Sequence, residues 1–258
     1  MKVCTDACIL GAYVEVQNTK TILDIGTGTG LLALMLAQRS QAVIDAVEID
    51  QDAYLQAVGN ISASKFQSRI NIYNQPIQNF NSNPPILSNN KKAPTSEIPT
   101  IDNKKSPLTF DIQHSKIDIP KIDIPQYGLI ISNPPFYQNS LQSPDKQTNK
   151  ALHATTLTFD ELIDNVIRLL QPDGRFVVLL PPFETEQLQA IAQKKALSLS
   201  KKLLIKHNSQ KPVFRIISTF ERNPIYEYQE DTLIIHENDS KSYSDKFQNL
   251  LRDYYIIF

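Results

Sequence analysis

The chain has almost no charge imbalance, very few cysteines and glycines, and no long apolar run. Its 258 residues carry 26 Lys and Arg against 27 Asp and Glu, a net charge of -1. No global field therefore pulls it toward nucleic acid or a membrane, and a nucleic-acid partner would need a local basic patch. The two cysteines, Cys4 and Cys8, could share one helix face. Two thiols do not close a metal site, so reduced, buried thiols and no metal are expected. No signal-peptide pattern is visible, and the apolar runs fall far short of the ~20 residues of a membrane span. A cytoplasmic protein without membrane contact is expected. Glycine numbers only seven, three of them within residues 26–30 and none in 81–125.

Hydrophobic residues make up 41% of the chain, enough for a sizeable core. Continuous apolar runs predict strands at 21–26, 42–50, 70–74, 127–132 and 175–180. Helical patterns fall between them. Asp6 is placed to cap a short first helix. Leu31 to Arg39 reads as a second. Gln51 to Ser64 reads as a third, with Tyr54, Leu55, Val58 and Ile61 on one face. Thr158 and Glu161 have the spacing of a capping box ahead of Phe159 to Leu170, and Pro172-Asp-Gly174 is expected to end that helix. Glu184 to Lys195 follows as a helix. Lys202 to His207 and Val213 to Phe220 read as an antiparallel pair. Such alternation of strand and helix predicts an α/β fold, a mostly parallel sheet covered on both faces with an antiparallel edge pair.

Residues 81–125 differ in texture. Seven of the chain's 16 prolines lie there, with the tandem repeat Lys116-Ile-Asp-Ile-Pro120 and Lys121-Ile-Asp-Ile-Pro125. Proline at this density opposes helix and sheet ladder alike. A disordered low-complexity insertion is expected, dividing a domain built from 1–80 and 126–220. A basic arm through Lys91, Lys92, Lys104 and Lys105 is the functional alternative, weakened by the acids between them. The remainder, 221–258, is expected to carry a strand at 232–236 and a helix at 243–253, and to pack on the sheet's edge.

Two segments carry the chemistry. Thr21-Ile-Leu-Asp-Ile-Gly-Thr-Gly-Thr-Gly30 runs from a buried strand into a glycine turn and a helix. Its glycine spacing matches neither the dinucleotide fingerprint nor a P-loop. Glycines at 26, 28 and 30 still allow positive φ and close backbone approach. Glu48, at the end of the second strand, can accept ribose hydroxyls. An adenosyl ligand without phosphates fits these facts. The second segment is Asn133-Pro-Pro-Phe136. An exocyclic amino nitrogen on a base is a poor nucleophile because its lone pair is delocalised. Hydrogen bonds from its N–H groups to the Asn133 side-chain carbonyl and the Pro134 backbone carbonyl would draw it toward tetrahedral geometry. The prolines hold φ near about -65°, and Phe136 can stack on the base.

These residues resemble a known family. Asp24-Ile-Gly-Thr-Gly-Thr-Gly30 with Glu48 looks like the cofactor site of class I S-adenosylmethionine methyltransferases, which have a Rossmann-like fold. Asn133-Pro-Pro-Phe136 resembles the motif of those that methylate amino or amide nitrogens. Met1-Lys-Val-Cys-Thr-Asp6, Leu31-Leu-Ala-Leu-Met-Leu-Ala-Gln38 and Ile130-Ile-Ser-Asn-Pro-Pro135 look like the valine tRNA (adenine-N6)-methyltransferase family, which modifies the adenine 3′ of the anticodon. The resemblance implies that Asp24, Gly26, Gly28, Gly30 and Glu48 hold S-adenosylmethionine. It implies that Asn133, Pro134 and Phe136 hold the target base of a tRNA. Thr5 and Asp6 are expected at the pocket mouth, with Lys146, Lys150 and His153 on RNA phosphates. A monomer is expected.

Two departures from that family stand out. Its members carry an acid after the third strand, where this chain has Pro76, with Asn74 and Gln75 as possible substitutes. They also have a segment ahead of the Lys2-Val-Cys-Thr-Asp6 motif, so a start upstream of Met1, or a shortened one, is expected. Protein glutamine methylation, DNA adenine methylation and a non-catalytic RNA-binding factor on a decayed methyltransferase fold stay open as alternatives.

Overall fold

The structure is a computed structural model that describes residues 5–81, 126–135, 157–223, 227–238 and 242–255. Helix α1 (Thr5–Tyr13) precedes β1 (Thr21–Ile25), α2 (Leu31–Arg39), β2 (Val43–Glu48), α3 (Gln51–Ser62) and β3 (Ile70–Asn74). Beyond them come β4 (Tyr127–Ser132), α4 (Phe159–Leu169), β5 (Leu170–Leu180), α5 (Pro182–Lys194), β6 (Ser198–Lys206), β7 (Val213–Glu221), β8 (Gln229–Ile234) and α6 (Asp245–Leu251). The strands form one sheet in the order β3-β2-β1-β4-β5-β7-β6-β8. Strand β7 runs antiparallel to β5 and β6. The remaining pairs are parallel, including β6 with β8. The expected insertion lies outside the described residues except for Asn81.

Most side chains of the central strands are apolar because both sheet faces are covered; Asp24, Asp45, Glu48 and Ser132 are the buried polar exceptions on β1, β2 and β4. Successive residues alternate between two apolar layers. Ile22, Ile44, Leu129, Ile131, Val177 and Leu179 join the layer that includes buried residues of α1, α2 and α6. Leu23, Val47, Ile130, Phe176, Val178 and Leu180 join the layer that includes buried residues of α4 and α5.

Arginines tie off helix ends. Arg39 Nη1 donates to the carbonyls of Gly11 and Val14 behind α1, at 2.7 and 2.8 Å. Arg69 donates to the carbonyls of Ala37, Ser40 and Ala42 at the end of α2. Arg222 donates to those of Ile167 and Leu170 behind α4. Each guanidinium meets a last-turn carbonyl, of Gly11, Ala37 or Ile167, that the helix end leaves without an intrahelical partner, and also a carbonyl of the segment that follows.

Three expectations need correction. Asp6 does not cap α1; it sits within the first turn, and its carboxylate pairs with Arg215 Nε at 2.9 Å. The buried face of α3 is Ala53, Ala57 and Ile61, whereas Leu55 is exposed. Small residues win there because the helix lies close under the glycine turn: a Cβ on Gly30 would stand 3.4 Å from the Ala57 Cβ. Pro172-Asp-Gly174 does not end α4. The helix begins at the capping box formed as expected by Thr158 and Glu161, and it stops at Leu169, ahead of the proline. The Pro-Asp-Gly segment lies inside β5, at an irregularity opposite Tyr127 and Leu129.

Candidate active site

Strand order reverses across β1 and β4: β2 and β3 lie beyond β1, and β5 lies beyond β4. In open α/β sheets, ligands settle at the carboxyl ends of the strands at such a point. Ile25 pairs with Ser132 as the last residues of these neighbouring strands. The glycine turn therefore leaves β1 one strand spacing, about 4.8 Å, from where Asn133 and Pro134 leave β4. Ser132 is buried, and its hydroxyl donates to the Ile25 carbonyl at 2.9 Å, clasping the two strand ends together. Asn133 and Pro134 are half-buried. Phe136, Lys146, Lys150 and His153 lie outside the described residues.

All three turn glycines have positive φ: 72° at Gly26, 59° at Gly28 and 82° at Gly30. A side chain resists this region, which accounts for the glycine at every second position. Gly26 and Thr27 donate their amides to the Val47 carbonyl at 2.9 and 3.1 Å, turning the chain over the end of β2. Gly28 donates its amide to Glu48 Oε2 at 2.8 Å, and Asp50 donates its own to Glu48 Oε1 at 2.8 Å. Both carboxylate oxygens are thus fixed, and each keeps a lone pair for a further donor. Gly30 caps α2 without any side-chain hydrogen bond, and the first turn of α2 holds no acid. Amides at that helix start suit a negatively charged group.

Asp24 is fully buried beneath the turn. Its Oδ2 accepts from the Thr27 hydroxyl at 2.5 Å, and its Oδ1 has no hydrogen-bond partner among the described residues. Burial pushes this carboxyl up to about 7; the Thr27 hydroxyl and the Ala33 backbone amide oppose the rise and the nearby Glu48 charge adds to it. An acceptor so weakly satisfied at this depth favours a further donor, because burial without one is costly. A Cβ at Gly26 would find no atom within 4 Å, so the turn borders open space there. An adenosyl ligand with a cationic amino-acid end matches this donor and acceptor set.

After β3, Asn74 Nδ2 donates to the carbonyls of Glu48 and Ile49 at 3.0 and 3.2 Å. This leaves the Asn74 side-chain oxygen as an acceptor two residues before Pro76, with the Gln75 side chain between them. The Pro76 carbonyl itself accepts from Asn79. At the start of α1, Thr5 Oγ1 accepts from the Tyr255 hydroxyl at 3.4 Å. Thr5 and Asp6 are therefore engaged with the chain's last described residues and with β7. Sequence reading missed three supports of the site: Thr27, Ser132, and Asn60, whose amide donates to the Thr29 carbonyl at 2.9 Å. The signals were present, as polar residues within or beside the two motifs, without a pattern to say which backbone group each would meet.

The family model described as "Methyltransferase small domain" matches residues 6–109. A tRNA1(Val) (adenine(37)-N6)-methyltransferase from Dyadobacter fermentans is 37% identical over 261 residues, covering 100% of this chain and 92% of the relative. A protein of the same name from Proteus mirabilis is 34% identical over 100% of this chain and 88% of its own. Among solved structures, a predicted O-methyltransferase from Agrobacterium tumefaciens is similar with a TM-score of 0.61 over 95% of both chains. At 14% identity that likeness establishes the class I methyltransferase fold alone.

Proposed function

The chain belongs to the tRNA1(Val) (adenine(37)-N6)-methyltransferase family, and from that premise we infer that it methylates N6 of the adenine beside the anticodon of valine tRNA. The observation that carries this reading is the paired exit of the two motifs, Gly26 following Ile25 and Asn133 following its register partner Ser132. Bound S-adenosylmethionine supplies a methyl group activated by a sulfonium centre. Glu48 accepts ribose hydroxyls, Asp24 takes up a cationic donor, and the glycine turn lets the backbone lie close. The Asn74 side-chain oxygen stands in for the acid that relatives carry after the third strand.

At the other side of the hollow, the Asn133 side-chain oxygen and the Pro134 carbonyl each accept a hydrogen bond from the adenine amino group. That concentrates the nitrogen lone pair on the side facing the donor. No strong base is required before transfer, since the methylated nitrogen is itself acidic and gives its proton to water. Phe136 stacks on the base, which an anticodon loop presents unpaired at little cost. Kinship with tRNA-modifying relatives over the whole of this chain favours tRNA over the glutamine and DNA alternatives.

Nucleoside mass spectrometry of a valine tRNA transcript, incubated with the protein and S-adenosylmethionine, tests the reading. N6-methyladenosine is expected with the parent protein. Asn133→Ala should lower transfer about 100- to 1,000-fold, the loss typical of a preorganised polar group, while cofactor affinity stays within twofold. Activity within a few-fold of the parent would remove Asn133 from the reaction.

A further inference from the structure

Residues 187–220 contain seven Lys and Arg and no Asp or Glu, in a chain whose net charge is -1. The fold neutralises part of this run. Lys195 pairs with Asp160 and Asp164, Lys201 with Glu15, and Arg215 with Asp6. Lys206 and Lys211 pair with no acid among the described residues. Both flank the turn between β6 and β7.

Register places that turn beside the candidate active site. Ser132 pairs with Val178, and Val178 with Ser218. Because β7 is antiparallel, its first residues climb past the level of Ser132 toward the catalytic rim. At about 3.3 Å per residue and 4.8 Å per strand, Phe214 stands roughly 10 Å above Asn133 and roughly 10 Å to its side.

The turn carries a stacked aromatic pair. The His207 ring lies on the Phe214 ring with centroids 3.9 Å apart and planes 8° from parallel. Phe214 packs against the core and His207 is exposed. Arg215 stands over the Phe214 ring at 5.6 Å. The loop is braced: Asn208 Oδ1 accepts the amides of Gln210 and Lys211 at 3.1 and 3.0 Å. His236 donates its amide to the His207 carbonyl at 2.9 Å. An exposed ring already held flat forms a stacking surface that loses little freedom on binding. The two lysines beside it, of which Lys206 donates to the Ser209 carbonyl at 2.9 Å, keep donors for phosphates.

We propose that the β6–β7 hairpin is a second RNA contact, in which a base flanking the target adenine stacks on the His207–Phe214 pair while Lys206 and Lys211 meet the adjoining phosphates. Sequence-tolerant stacking combined with phosphate contact is the usual chemistry of single-stranded RNA binding. The inference rests on tRNA being the substrate.

Its test separates the two. Binding of an unmodified valine tRNA transcript is measured by fluorescence anisotropy across a salt series, without turnover, for the parent, His207→Ala and Lys211→Glu. Methyl transfer is measured separately at saturating tRNA. His207→Ala should weaken binding about fivefold or more, the lower end of the loss of a stacked base. Lys211→Glu should reduce the salt slope by about 1. S-adenosylmethionine affinity and the rate at saturating tRNA should stay within twofold. Unchanged tRNA affinity and salt slope in both variants, with the parent active, would overturn the hairpin and leave the function standing. Parent protein that binds tRNA through the hairpin yet transfers no methyl would overturn the function and leave the hairpin standing.

Discussion

At the scale of single residues, the most informative group is Asp24, whose environment works against its charge. Its folded pKa, pushed up to about 7 from 3.8, means that the native state keeps a proton the unfolded chain has already released. Between these values the native state binds more protons, so stability falls as pH rises. This contribution is fully favourable below about pH 4 and is lost as pH climbs through about 7. Asp24→Asn should flatten the dependence, which in the parent approaches about 1.4 kcal/mol per pH unit within that window. Urea unfolding of the cofactor-free protein at pH 5, 6, 7 and 8 reads it. The same variant should bind S-adenosylmethionine more weakly, and a variant with parental pH slope would show that Asp24 is ionised when folded. The glycines above Asp24 were legible in sequence, since a spacing of two in a tight turn after a strand calls for positive φ. Asp6 was misread because a cap is a local pattern, whereas its partner Arg215 arrives from the far end of the chain.

Among the elements, strands were easier to read than helix faces. A run such as Tyr127 to Ser132 can be little else once Pro125 and Pro134 bound it. The face of α3 was misjudged because hydrophobicity favoured Tyr54 and Leu55, while the tight approach to Gly30 selected Ala57. Nor does any periodicity announce that an arginine will close the end of a helix from another element. Arg69 makes three such hydrogen bonds to residues 37–42. Arg69→Ala should cost on the order of 3 kcal/mol, since bonds to a charged donor are worth about 1.5–3 kcal/mol each and do not add fully. Calorimetry should show a melting temperature lower by roughly 6–12 °C for a chain of this size. Arg69→Lys should restore little of it, because one ammonium cannot reach three carbonyls in the geometry of a planar fork.

For the whole molecule, the mostly parallel sheet with an antiparallel pair was legible in the alternation of strands and helices, but the order of its strands and the pairing of β8 were not. Strand β8 lies parallel to β6, a pairing that hairpin logic would not select. Leu233, Ile235, Phe247 and Leu251 are buried in the layer shared with α1. A chain ended after Tyr228 would expose that layer and the edge of β6, and should be insoluble or lack a cooperative melting transition. In the intact protein, S-adenosylmethionine at about 100 times its dissociation constant should add about 2.7 kcal/mol, raising the melting temperature by roughly 5–10 °C. Absence of any shift at millimolar cofactor would argue against the hollow beside Gly26.

The hydroxyl contact between Tyr255 and Thr5 joins the last described stretch to the first. During synthesis, α1 leaves the ribosome long before the residues that complete its flank. Until those residues are made, the apolar layer that α1 shares with Phe247 and Leu251 lacks its cover. Closure of that layer is therefore a late event of folding, and amide exchange in α1 should be faster in chains arrested before Asp245 than in the finished protein.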